Sequence, residues 1–176
     1  MANIQTGPLD RVRINVFLLL DTSASMTGAP LEALKQGVSL VYTTFASRST
    51  HSVSIAAISY DSDATLLLPL RDVSQTFNLP ELDPGGTSSL GKALRLTEQQ
   101  IHKSARTLIY VFTDGEESAD DWNVPLKSLK PHIQNIYAVL CGITPQHNHP
   151  CDYADDIFLM RELTPDTIFS TFRTLT

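Results

Sequence analysis

The sequence predicts an α/β fold: a doubly wound, Rossmann-like, mostly parallel sheet of about six strands, one an antiparallel edge strand, with helices on both faces. Three observations lead there. Apolar runs rich in branched and aromatic residues recur along the chain without polar alternation, the pattern of strands buried on both faces. Segments with helical spacing lie between several of these runs. Asp21 directly follows "INVFLLL" and Asp114 directly follows "TLIYVFT", which places polar chemistry where such sheets bind ligands, beyond the carboxyl ends of the strands.

The elements follow in order. "INVFLLL" is the first strand, and Leu31, Leu34, Val38, Val41 and Phe45 then repeat at helical spacing. Pro30 stands where a first helical turn tolerates it. "SVSIAAISY" and "ATLLLPL" are the second and third strands, joined through "YDSDA", which is short enough for a hairpin. The third strand is therefore antiparallel and at an edge, where Pro69 spares a ladder donor. Leu90, Leu94, Thr97 and Ile101 mark a second helix. "TLIYVFT", "IQNIYAVLC" and "DIFLM" complete the strands. "TPDTIFSTFRTLT" reads as a last helix with Ile168 and Phe172 on one face and Thr164 or Asp166 as its cap. Residues 1–12 read as an N-terminal extension and 13–176 as a single domain.

A chain of 176 residues suits one domain with a sizeable core. Its 42% hydrophobic and 18% charged residues are ordinary globular values. A net charge of −6 and a pI near 5.2 argue against nucleic acid or an anionic membrane as the main partner, since both need a basic footprint. No apolar run is long enough to span a bilayer, and "MANIQTGPLDRVR" lacks the pattern of a signal peptide. With only Cys141 and Cys151, a disulfide framework is not the design. The expectation is a soluble, cytoplasmic domain.

The chemistry gathers on one predicted rim. Asp21 opens "DTSASM" after the first strand, and Asp114 opens "DGEES" after "TLIYVFT". The two strands should be neighbours at the topological switch point. If the first loop stays extended, Asp21, Ser23 and Ser25 project the same way. "DPGGTSSLGKAL" adds Thr87 just before a helix, with Gly85 and Gly86 allowing close backbone approach. Oxygen donors without sulfur or nitrogen suit Mg²⁺, Mn²⁺ or Ca²⁺ rather than zinc. Each piece also has an ordinary structural use. Asp21 or Ser25 serves as a helix cap, Ser88 or Ser89 as the cap after Thr87, and Asp114-Gly115 as a turn. It is their order and their place at strand ends that favour the metal.

This set resembles the metal-ion-dependent adhesion site of von Willebrand factor A domains: Asp-x-Ser-x-Ser, a central Thr after Gly-Gly, and Thr-Asp-Gly. Within that superfamily "VFLLLDTSASM", "ISYDSDATLLLPL", "LDPGGTSSLGKAL" and "FTDGEESADDW" resemble the bacterial tellurium-resistance TerY-type proteins. The resemblance implies that Asp21, Ser23, Ser25, Thr87 and Asp114 hold one divalent cation. Ser23, Ser25 and Thr87 would bind it directly, and Asp21 and Asp114 largely through water. Ala24 departs from the usual Gly, a small change that should fit. No Cys-rich extension is present, so a role needing one is not carried over. The implied function is a non-catalytic, metal-dependent protein-interaction module in a bacterial stress-response system that includes tellurite resistance. Its partner would complete the cation's shell with a Glu or Asp carboxylate. In some such systems a protein kinase and a phosphatase are encoded nearby, which makes them candidate partners.

Three other readings compete. A phosphotransferase of haloacid-dehalogenase type also opens with a strand and a Mg²⁺-binding Asp, but needs a second acid two residues later, where Ser23 stands. "GGTSSLGK" lacks the spacing of a phosphate-binding P-loop. A structural domain with a vestigial site is the plain rival. Around the metal, Met26, Glu116, Glu117, Asp120 and Trp122 are expected on a partner-binding rim, with Trp122 equally readable as core. Ser118 and Asp121 have capping-box spacing, the structural reading of the same stretch. His147, His149 and Cys151 alternate near Cys141, so a zinc site is imaginable. Against it, Pro145 and Pro150 mark a surface loop, and Cys141 reads as a buried small apolar residue.

Overall fold

The computed structural model describes residues 12–48, 52–116, 118–142 and 151–173. Strand β1 (Arg13–Asp21) explains most of the layout, because every residue after Arg13 in it is buried. Successive side chains of a strand point to opposite faces. Val16, Leu18 and Leu20 therefore enter one core with Leu34, Val38 and Val41 of α1 (Ala29–Arg48) and Ile168 of α4 (Pro165–Arg173). Phe17 and Leu19 enter a second core with Leu90 and Leu94 of α2 (Leu90–Gln100) and Leu126 and Leu129 of α3 (Asn123–Leu129). A run apolar at every position is what a strand covered by helices on both sides requires.

The remaining strands are β2 (Ser52–Tyr60), β3 (Ala64–Asp72), β4 (Arg106–Thr113), β5 (Asn135–Leu140) and β6 (Asp156–Leu159). Their order is β3-β2-β1-β4-β5-β6, and all pairs are parallel except β2 with β3. The expected antiparallel edge strand is thus present. Pro69 is exposed and falls between the Leu68–Ala57 and Arg71–Ile55 pairs, where the ladder is irregular and no donor is needed. The switch point is also as expected: β1 is flanked by β2 and β4, so the loops after β1 and β4 leave the sheet side by side.

The differences lie in the helices. The seven-residue α3 was not read from the sequence, because "NVPLKSL" turns only Pro125, Leu126 and Leu129 inward, too few to show a period. Ile101 lies just past α2 rather than in it. At α4 the choice of cap falls on Thr164, whose hydroxyl accepts the Thr167 N–H at 3.2 Å. Asp166 instead pairs with Arg48 at 2.7 Å. Among the described residues no helix is long and apolar enough to cross a membrane.

Helix α1 approaches the sheet closely at Gly37. A Cβ there would lie 2.6 Å from Cε1 of Phe112 and 2.9 Å from the Met160 sulfur. Phe112 is fully buried and immediately precedes the rim residue Thr113, so it has little room to give. Gly37→Ala should therefore destabilise by about 1–3 kcal/mol in chemical denaturation. Helix propensity alone would favour Ala by about 1 kcal/mol, so the sign of the change tests the packing.

Candidate metal centre

Asp21 is the last residue of β1 and is 0% exposed. Its Oδ1 accepts the Ser23 N–H at 2.9 Å and the Ser23 hydroxyl at 2.6 Å. Its Oδ2 accepts the Thr113 hydroxyl at 2.7 Å, with the Ser88 hydroxyl at 3.4 Å. Two loops and the end of β4 thus converge on one carboxylate. The first loop does not stay extended beyond Ser23: Ala24–Met26 form a short 3₁₀ turn. Even so, the Ser23 and Ser25 hydroxyls lie 3.3 Å apart. The convergence comes from the turn that Asp21 itself closes.

The loop carrying Thr87 is stitched to the first by backbone bonds, Gly85 N–H to Thr22 O at 2.9 Å and Ala24 N–H to Gly86 O at 3.1 Å. Gly86 has φ +70°, and a Cβ there would meet the Ser62 hydroxyl at 2.4 Å, so glycine is required. Gly85 has open space around its Cα and is not needed for close approach. Thr87 is exposed, and its N–H and hydroxyl both engage the Ser62 hydroxyl, at 3.0 and 3.2 Å. Ser62, at the tip of the β2–β3 hairpin, holds Thr87 in place. The half-buried Asp114 follows Thr113 and accepts the Glu116 N–H at 3.1 Å.

These features can be set beside known proteins. The von Willebrand factor type A domain pattern matches residues 16–117, more than half of the chain, and spans Asp21, Ser23, Ser25, Thr87 and Asp114. The chain belongs to the von Willebrand factor type A family. The sequence matches no curated protein. Among solved structures, an aerotolerance-related membrane protein from Bacteroides fragilis is 22% identical, with a TM-score of 0.58 over 81% of this chain and 75% of that one. A von Willebrand factor type A protein from Catenulispora acidiphila is 16% identical, with a TM-score of 0.61 over 94% of this chain and 42% of that one. The PilB minor pilin from Streptococcus sanguinis is 13% identical, with a TM-score of 0.63 over 97% of this chain and 62% of that one. At such identities the likeness is one of fold. This chain spans less than two thirds of the last two. Domains of this family are typically adhesion or protein-interaction modules and generally not catalytic.

In this von Willebrand A domain the electrostatics of the rim are those of a site short of positive charge. Burial raises the pKa of Asp21, its hydrogen bonds partly offset that, and the charge of Asp114 raises it further. Among the described residues no Lys, Arg or His forms an ion pair with Asp21 or Asp114. Beneath them, burial pushes the Cys141 thiol up to about 12, with Asp21 and then Asp114 adding to the effect. Cys141 is thus a buried core residue with a protonated thiol, as the sequence reading has it. Among the described residues no three His, Cys, Asp or Glu side chains gather into a metal-holding group. The candidate donors are instead hydroxyls with two carboxylates, a set that fits a hard cation such as Mg²⁺, Mn²⁺ or Ca²⁺.

The expected rim needs correction. Met26 is 0% exposed and packs in the α1-side core, because the 3₁₀ turn points it inward; it is unavailable to a partner. Asp120 is committed elsewhere. Its two carboxylate oxygens accept the Gly91 and Lys92 N–H groups at 2.9 and 3.0 Å, capping the N-terminus of α2 from another loop. Ser118 accepts the Leu90 N–H at 3.0 Å and donates to Asp120 at 2.7 Å. The capping-box spacing therefore serves a different helix: Ser118 caps α2, while Asp121 accepts the Asn123 N–H at the start of α3. Glu116 is exposed, and Trp122 is half-buried edge-on against Tyr153, ring centroids 5.7 Å apart. Glu117, His147 and His149 lie outside the described residues. Cys151 is buried and accepts the Tyr153 hydroxyl.

Sequence reasoning missed Thr113 and Ser62 and gave Ser88 only as a cap. Thr113 had a signal, a hydroxyl at the last position of a strand, directly after the run Leu108 to Phe112 and directly before Asp114. Ser62 had none, because its role depends on the hairpin tip folding over the Gly85-Gly86 loop.

Two outcomes follow from this geometry. Asp120→Ala should cost about 1–2 kcal/mol in equilibrium unfolding through loss of the α2 cap. Asp21→Asn keeps an acceptor for Ser23 and offers an amide to the Thr113 and Ser88 hydroxyls while removing a buried charge. In metal-free buffer at neutral pH its melting temperature should equal or exceed that of the wild type. A clear fall would mean that the carboxylate already has a stabilising counter-charge.

Proposed function

We propose that this domain is a metal-dependent protein-interaction module with a metal-ion-dependent adhesion site. Asp21, Ser23, Ser25, Thr87 and Asp114 would hold one divalent cation, Mg²⁺ with Mn²⁺ or Ca²⁺ as substitutes, and a partner Glu or Asp would complete its shell. The observation that carries this reading is a fully buried carboxylate that forms no ion pair with a Lys, Arg or His among the described residues, set beneath an exposed threonine and a half-buried aspartate on the same rim. Hydroxyl ligands neutralise little of a cation's charge, which leaves it with affinity for an external carboxylate. The resemblance to TerY-type proteins supports a cytoplasmic role in bacterial tellurite resistance or a related stress response, with a protein kinase or phosphatase of the same system as partner. Exposed Glu116 favours a partner with basic residues around its single carboxylate, and the exposed part of Trp122 offers an anchor.

The phosphotransferase reading loses ground to the same geometry. Both oxygens of Asp21 already accept hydrogen bonds from Ser23 and Thr113, so neither is free to attack a phosphoryl group. Ser23, where the acid would stand, donates back to Asp21.

Saturating Mg²⁺ or Mn²⁺ should raise the wild-type melting temperature, since a ligand that binds only the folded state stabilises it by mass action. The gain should vanish in Asp21→Asn and Asp114→Ala. A partner captured from native lysate should be released by chelator and by Ser23→Ala, Ser25→Ala or Thr87→Ala with circular dichroism unchanged. Changing the partner's carboxylate to an amide should weaken binding strongly. A partner held equally well in chelator and by Asp21→Asn would move the function to another face.

A further inference from the structure

A second polar cavity lies at the opposite end of the sheet, and nothing in the metal reading accounts for it. It has a volume of about 300 Å³ and opens between the first residues of β1 and β2 and the segment that follows α2. Its polar lining is Arg13, Asn15, Ser52, Ser54, His102 and Ser104. Arg13 pairs in register with Ser52, and Asn15 with Ser54, so these four share the face that further up carries Phe17 and Leu19 into the α2-side core. At the sheet's lower end the apolar pattern gives way to hydrogen-bonding groups.

Asn15 makes this a built feature. It is only 6% exposed, in the middle of a three-strand ladder, and its amide nitrogen has no hydrogen-bond partner. Thr107, its cross-strand neighbour on β4, is 0% exposed and has an unpartnered hydroxyl as well. A buried polar group without a partner keeps its full desolvation cost, and Val or Leu would fill either position without that cost. Two such groups side by side need a reason. A half-turn of the Asn15 amide exchanges its oxygen and nitrogen without other movement, so a donor can be offered to the cavity.

The lining specifies the ligand by charge. Arg13 contributes a cation, His102 an imidazole N–H, Asn15 an amide, and the serines three hydroxyl donors; among the described residues no Asp or Glu lines the cavity. Asp72, which faces Ser54 in register, is turned to the Ser74 N–H and hydroxyl at 2.8 and 2.6 Å. The C-terminal end of α2 opposes an anion weakly, and a single guanidinium contact outweighs it. On a chain of net charge −6, a described lining that carries a guanidinium and several N–H and O–H donors but no carboxylate favours negative oxygen. We propose that this cavity binds a small molecule through a phosphate or carboxylate group, with Arg13 and Asn15 as the principal contacts. It lies about 20 Å from Asp21, six residues along β1. It does not depend on the metal reading.

The test is calorimetric titration of the metal-free full chain with inorganic phosphate and, separately, with citrate, at constant ionic strength. One of them should give a saturable isotherm, and which one does tells phosphate from carboxylate recognition. Binding should weaken about tenfold or more in Arg13→Gln, as expected for loss of a charge-assisted bond. It should also weaken in Asn15→Leu while that variant melts at or above the wild-type temperature, because an unpartnered amide has been removed. Asp21→Asn should bind the anion like the wild type. Absence of saturable binding to either anion, or equal binding by Arg13→Gln, overturns the proposal. So does an Asn15→Leu protein that keeps full anion affinity.

Discussion

The burial of the Asp21 carboxylate is the constraint on which the upper end of the molecule is built. A carboxylate at the end of the most buried strand must be hydrogen-bonded or neutralised, because desolvation of its charge is costly. The chain meets this with donors from Ser23 in the loop after β1, Thr113 at the end of β4 and Ser88 in the loop that leads into α2. Those bonds fix where each loop leaves the sheet. The turn at Ala24–Met26, the Gly85-Gly86 contacts and the step from Thr113 to Asp114 all sit within one or two residues of them. What the hydrogen bonds leave uncompensated is the charge itself.

A second layer of bonds keeps that arrangement from splaying. Ser118 and Asp120 cap α2, and the Ala119 N–H reaches Ser88 O at 2.6 Å. Gly91 lets the segment come this near: a Cβ there would lie 2.6 Å from the Asp121 carbonyl oxygen. The loop after β4 is therefore docked on the first turn of the helix that follows Thr87. Acidic residues that look like a charged surface when read along the chain divide into those spent on structure, such as Asp120, and those left to solvent, such as Glu116. Only the latter are available to a partner.

The two ends of the sheet are chemically opposite. Acids and hydroxyls collect beyond the carboxyl ends of β1 and β4, where parallel topology makes a crevice. Arg13, His102 and unpartnered Asn15 collect at the amino ends. Between them lie two cores separated by β1, whose alternate residues serve each. The apolar middle insulates the ends, so each can bind according to its own charge.

Most of the fold was legible in the sequence. Six apolar runs, a hairpin too short for a crossover and the spacing of Leu31 to Phe45 determined the strands, the antiparallel edge and the first helix, because burial on two faces or one leaves a periodic record. The aspartates at the ends of β1 and β4 likewise marked the rim, since topology alone brings those two strand ends together. Tertiary structure decided what periodicity does not encode. Met26 follows two rim serines in sequence, yet a 3₁₀ turn drives it into the core. Asp120 is spent on α2, and Ser62 reaches Thr87 only because the hairpin folds over. These are contacts between segments distant in the chain, set by backbone groups that must be satisfied wherever packing places them, and no local pattern records them.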